Sequence, residues 1–124
     1  MLLGLTLFND WLFSPCAMRQ IISRKVYDTD SAEQIGKYGS IVDKQDFHAL
    51  AETLYKDSDG EYFLHCQGGA ATKYAKQANE GTTYGEKIQL LTTEEALNWC
   101  ERRTIDPDDI IKEFADLIEN INET

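Results

Sequence analysis

Apolar positions alternate with polar ones through much of the chain and recur at helical spacing near its end. From residue 19 to 28, the β-branched Ile21, Ile22 and Val26 with Tyr27 predict a strand. Thr29 or Asp30 can then cap a short helical turn carrying Ala32 and Ile35, stopped by Gly36 or Gly39. Residues 46–56 fit two patterns. Phe47, Leu50 and Leu54 suit a helix, whereas Thr53 and Tyr55 leading into a turn suit a strand. The turn, Asp57-Ser58-Asp59-Gly60, separates segments 52–56 and 61–66 and predicts a β-hairpin. Gly68-Gly69 ends the second of these strands. Residues 70–80 then predict a helix with Ala71, Tyr74, Ala75 and Ala78 on one face, stopped near Gly81. Residues 87–91 predict a short strand.

The C-terminal region carries the plainest helical signals. Thr92 with Glu95 three residues on forms a capping box before Ala96, Leu97 and Cys100. Asp106-Pro107-Asp108-Asp109 supplies an N-cap, a proline at the first helical position and acids in the first turn. Ile110, Ile111, Phe114, Leu117, Ile118 and Ile121 follow as an apolar stripe. The expected fold class is therefore α+β: a small antiparallel sheet with a central hairpin, packed against about three helices, two of them C-terminal.

Residues 1–17 are the most apolar stretch, but no Lys or Arg precedes Arg19, and Asn9 and Asp10 interrupt the run. A secretory signal wants a basic start and a small-residue cleavage site, and a membrane span wants about 20 apolar residues. Met18 as the natural start is the economical expectation, leaving 18–124 as one α+β domain. An export or membrane signal and a leader that packs on the body are the alternatives. Cys16, Cys66 and Cys100 are an odd set without C-x-x-C spacing, which points to a reducing, cytoplasmic setting rather than a disulfide framework.

The 124 residues, 14.1 kDa, suffice for one domain with its own core and need no metal or disulfide staple. Twelve bases against 22 acids give a net charge of -10, which argues against general nucleic-acid binding and against docking on anionic membranes. A basic protein partner fits this balance. Residues 86–124 hold eleven acids and four bases. Along the last helix Asp109, Glu113, Asp116 and Glu123 fall opposite the apolar stripe, and Glu94, Glu95 and Glu101 join them if the preceding helix shares that face. Such a row can engage Lys and Arg that otherwise hold phosphates, although charge runs are commonly solvated faces.

Other chemistry is sparse. His48, His65, Cys66 and Cys100 lack metal-ligand spacing, and adjacent His65 and Cys66 on a strand point to opposite faces. No motif joins a thiol to a base, so no catalytic residue, metal or cofactor is expected and the chain is read as a non-enzyme. Gly68, Gly69 and Ala70 at the mouth of the expected helix could present backbone N–H groups to an anion, although tight turns need glycine anyway. Tyr27, Tyr55, Tyr62, Tyr74 and Tyr84 offer a further aromatic surface if they are not core.

Residues 25–99 resemble short proteins encoded on bacterial phages, plasmids and conjugative elements. The resemblance rests on Lys25-Val26-Tyr27-Asp28-Thr29, Glu52-Thr53-Leu54-Tyr55-Lys56, Tyr62-Phe63-Leu64 and Gly68-Gly69-Ala70 before Lys73-Tyr74-Ala75. Gly85-Glu86-Lys87-Ile88 ahead of Leu91-Thr92 completes it. In size and charge the chain is also similar to anti-CRISPR proteins, which block host nucleases by direct binding. The resemblance implies an inhibitor whose acidic helices occupy a basic groove on a host protein or nucleoprotein complex, such as a CRISPR effector. The alternative is an accessory module of a mobile element, acting through its sheet or the Gly68-Gly69 turn.

Overall fold

The computed structural model of the chain describes residues 18–119. The leader 1–17, Cys16, Ile121 and Glu123 lie outside them. The segment expected as one strand is a hairpin: β1 (Arg19–Ile22) pairs antiparallel with β2 (Lys25–Asp28). Its polar interruption supplies the turn, with Ser23 and Arg24 both at positive φ (51° and 69°). Two such residues give the twist that matches antiparallel strands.

After β2 the expected helical turn does not form. The Asp28 carboxylate accepts the Asp30 N–H, the Asp28 carbonyl accepts the Ser31 N–H, and the chain leaves as β3 (Glu33–Gly39). The ambiguous segment resolves to a strand, β4 (Leu50–Lys56). It runs through the Asp57–Gly60 turn into β5 (Tyr62–Gly68), so the hairpin is present, with Lys56 opposite Tyr62. Residues 70–80 are the largest departure. In place of a helix the chain makes a tight turn and then a small hairpin, β6 (Lys76–Ala78) with β7 (Gly81–Thr83). Thr72 explains this locally: its hydroxyl donates to the Gly69 carbonyl and accepts the Tyr74 N–H, so a side chain takes backbone bonds that a helix would need.

Strand β8 (Gly85–Leu91) completes a four-stranded antiparallel sheet of order β3-β4-β5-β8. Helix α1 (Thr93–Arg102) begins with the expected capping box, and helix α2 (Pro107–Phe114) with the Asp106 cap. The described residues therefore contain two α-helices, not three, in an α+β fold. Helix α2 also stops sooner than its apolar stripe, giving way to a 3-10 turn at Ala115–Leu117. No helix among the described residues is long and apolar enough to cross a membrane.

The sheet has a core on each side. On the helix side Leu54, Tyr62, Leu64 and Cys66 meet Ala96, Trp99, Cys100 and Phe114. On the other side Phe63 stacks on Tyr55 at 5.4 Å and meets Tyr27 edge-on at 5.6 Å, with Ile88 beside them. The alternation of β5 divides Phe63 and His65 from Leu64 and Cys66.

Candidate functional site

The acids expected to form one row have separate fates. Glu94, Glu101, Asp109 and Asp116 are exposed. The Glu95 carboxylate accepts the Thr92 N–H and so completes the cap of α1. Glu113 turns inward: it accepts the Tyr62 hydroxyl proton and pairs with Lys56 at 2.8 Å. Because α2 ends at Phe114, Asp116 sits in the 3-10 turn and leaves the α-helical row.

Of these exposed acids Glu101 lines an apolar groove of about 460 Å³. Leu97 of α1 faces Ile110 and Ile111 of α2, Leu117 and Ile118 close the far wall, and Glu101 and Glu119 add carboxylates to the lining. The short α2 leaves Leu117 48% exposed at its end.

The Gly68-Gly69-Ala70 turn is built for close packing. The Gly69 N–H donates to the Ala49 carbonyl at 2.9 Å and the Ala71 N–H to the Phe47 carbonyl at 2.8 Å. A Cβ on Gly69 would stand 2.0 Å from the Asp46 carbonyl oxygen, and one on Gly68 would stand 2.0 Å from Thr72 Oγ1. No helix follows the turn, and these amides already serve the 46–49 loop. The glycines let two backbone segments touch.

The strongest electrostatic feature has no signature in the local sequence. Glu52, central in β4, is 1% exposed. It accepts hydrogen bonds from Trp99 Nε1 and Arg103 Nε, each at 2.8 Å, and from the Tyr74 hydroxyl, with Lys73 Nζ at 3.7 Å. Burial pushes the Glu52 carboxyl up, but Arg103, Tyr74 and Trp99 outweigh it and hold it near 2. Arg103 also lies 4.1 Å over the Tyr38 ring. A permanently ionised carboxylate with every neighbour donating to it ties β4 to α1 and has no proton to exchange near neutrality.

Several other ionisable groups are similarly committed. Asp57, Asp59 and Glu61 gather in the hairpin turn, but the Lys25 ammonium sits among all three, 3.0 Å from Asp57 and 2.8 Å from Asp59. Cys66 and Cys100 share the helix-side core, where burial pushes both thiols up, Cys100 to about 11. His65 is on the other side of the sheet and His48 is exposed in a loop, so neither stands as base to a buried thiol. Tyr27 and Tyr62 are core residues, and Tyr55, Tyr74 and Tyr84 are half-buried.

Comparison with family models, with curated proteins and with solved structures finds no match.

Proposed function

We propose that the chain is a non-enzymatic acidic binding protein of a mobile genetic element. In this reading it inhibits a basic, nucleic-acid-handling host protein in the manner of anti-CRISPR proteins. The observation that carries the reading is the groove between α1 and α2: an apolar floor of Leu97, Ile110 and Ile111 with Glu101 and Glu119 in its lining. Asp109 faces a separate cleft beside Glu33 and Gln34. An amphipathic segment rich in Lys and Arg matches such a surface, since its apolar side fills the floor and its cations meet the acids. Occupying residues that otherwise hold phosphates excludes nucleic acid by competition. Glu113 and Glu95 are left out of the contact set because their carboxylates serve the fold.

The test starts with the full chain as bait in a bacterial lysate, eluted by a salt gradient. A captured nuclease is then purified and its cleavage assayed with and without the protein. The reading expects cleavage to be blocked at low salt, with inhibition weakening as ionic strength shortens the Debye length from about 10 Å at 0.1 M. The triple reversal Glu101→Lys, Asp116→Lys, Glu119→Lys should fold normally and lose inhibition at least about thirtyfold. Inhibition untouched by that triple variant, or the absence of any salt-sensitive basic partner, overturns it.

A further inference from the structure

On the sheet face away from the helices, burial runs against polarity. Thr53, His65 and Gln67 are 5%, 3% and 7% exposed, at positions where apolar side chains would pack more simply. The β1–β2 hairpin covers the Tyr27–Phe63–Ile88 end of this face. Next to it a cavity of about 280 Å³ opens on Ala51, Tyr55, His65 and Gln67, with Lys37, Ile41 and Asp30 in its walls.

The polar groups there are neither random nor spent. Gln67 Nε2 donates to the Tyr84 oxygen, and the Tyr84 hydroxyl donates to Glu86 at 2.6 Å, which fixes the Gln67 amide in place. His65 Nε2 has no hydrogen-bond partner, Glu86 Oε2 standing 3.9 Å away. That nitrogen is closed to solvent, and its neighbour Glu86 lies outside the cavity walls, so it is Gln67 that offers polar atoms to the cavity. Burial holds the His65 imidazole below its ordinary value against the pull of Glu86, so the ring is neutral near pH 7 and offers one donor and one acceptor. Lys37 and Asp30 carry opposite charges, and neither is in an ion pair among the described residues.

We propose that this cavity binds a small zwitterion with a polar side chain, a free α-amino acid in size and charge. Lys37 takes the carboxylate and Asp30 the ammonium group. Tyr55 and Ile41 flank the carbon skeleton, and Gln67 hydrogen-bonds the polar side chain above the His65 ring. A cavity of this size, below the range of drug-sized sites, suits a ligand of roughly ten heavy atoms. The site is independent of the α1–α2 groove and stands or falls separately from it.

Saturation-transfer NMR on the full chain with the twenty L-amino acids, followed by calorimetry on the individual hits, is the test. Saturable binding tighter than about 1 mM by a polar amino acid is expected, with its decarboxylated amine at least about tenfold weaker. Lys37 and Asp30 are exposed, so Lys37→Met and Asp30→Asn should keep the parent circular dichroism and melting point while each weakens binding about tenfold. No saturation by about 10 mM, or unchanged affinity in both variants, overturns the proposal. So do cross-relaxation signals between residues 1–17 and His65 in the ligand-free chain, which would make the cavity a seat for that segment.

Discussion

Replacing Glu52 by Gln keeps shape and removes charge, and the structure sets the size of the effect. In the unfolded chain this carboxyl titrates near 4.5; in the folded chain its donors hold it near 2. The folded value is the lower one, so the network adds stability above pH 4.5 and loses it as pH falls from 4.5 toward 2. That gap corresponds to about 3 kcal/mol at neutral pH. A cleft of about 240 Å³ reaches Glu52 beside Lys73 and Arg102, and water in it screens part of the charge, leaving about 2 kcal/mol. The Gln amide adds a second cost of about 1 kcal/mol, because its NH₂ must face one of the donors now served by a carboxylate oxygen. Glu52→Gln should therefore lose about 3 kcal/mol at pH 7, roughly 12 °C in melting temperature for a domain of this size.

Urea unfolding followed by far-UV circular dichroism, run in parallel on both proteins from pH 7 to pH 3, measures this. The other carboxylates are common to both chains and cancel in the difference. The gap should be full at pH 7, shrink below about pH 4.5 and fall to about half its neutral value by pH 3. A variant within about 0.5 kcal/mol of its parent at pH 7, or a gap that ignores pH, refutes the account of Glu52 as an ionised strut between β4 and α1.

Other consequences are as direct. Gly69→Ala forces a Cβ to within 2.0 Å of the Asp46 carbonyl oxygen, so it should cost more than about 2 kcal/mol in the same unfolding assay; near-neutrality would show that the 46–49 loop moves freely. Burial raises the Asp57 carboxyl while Lys25 and the turn N–H groups lower it further, so Lys25→Met should move its titration upward, read by carboxyl ¹³C NMR. An unmoved Asp57 would remove Lys25 as its counter-ion. In a Cys16→Ser background, Cys66 and Cys100 should react with a thiol reagent at pH 8 only as fast as the chain unfolds, since both are buried and hold their protons above the usual thiol range.

What could be read from the sequence was local chemistry. The Thr92–Glu95 capping box, the Asp106 cap with Pro107, and the Asp57–Gly60 turn each lie within a few residues of their partners, and each is present. Where a distant segment decides, local pattern misleads. Residues 70–80 have alanines and a tyrosine at helical spacing, yet Gly85 packs its backbone against Tyr74 and Lys76, and a Cβ there would meet the Tyr74 carbonyl oxygen at 2.2 Å. That close approach holds residues 74–76, a turn leading into β6, against the start of β8. Helix spacing alone also could not show that α2 would stop at Phe114, with Glu113 bent inward to Tyr62, 51 residues away.

The same limit explains why the acidic row and the glycine turn were legible as candidates while Glu52 was not. A charge in an alternating strand counts as a solvent-facing position, and only partners 47 to 51 residues away, Trp99 and Arg103, make it an interior one. The sheet then separates the chemistry by side. Toward the helices its polar groups are consumed in holding the fold: Glu52 by α1, Glu113 by Lys56 and Tyr62. Away from the helices His65 keeps an unfilled nitrogen, and beyond the sheet the exposed acids keep their charge beside an apolar groove. Gly69→Val, a natural probe of the glycine turn, therefore reports on folding, because its side chain would meet backbone at Asp46 and Phe47. Substitutions at Lys37 and Asp30, or at Glu101, Asp116 and Glu119, change charge on surfaces the fold does not spend, and those are the positions at which a loss of binding can be separated from a loss of structure.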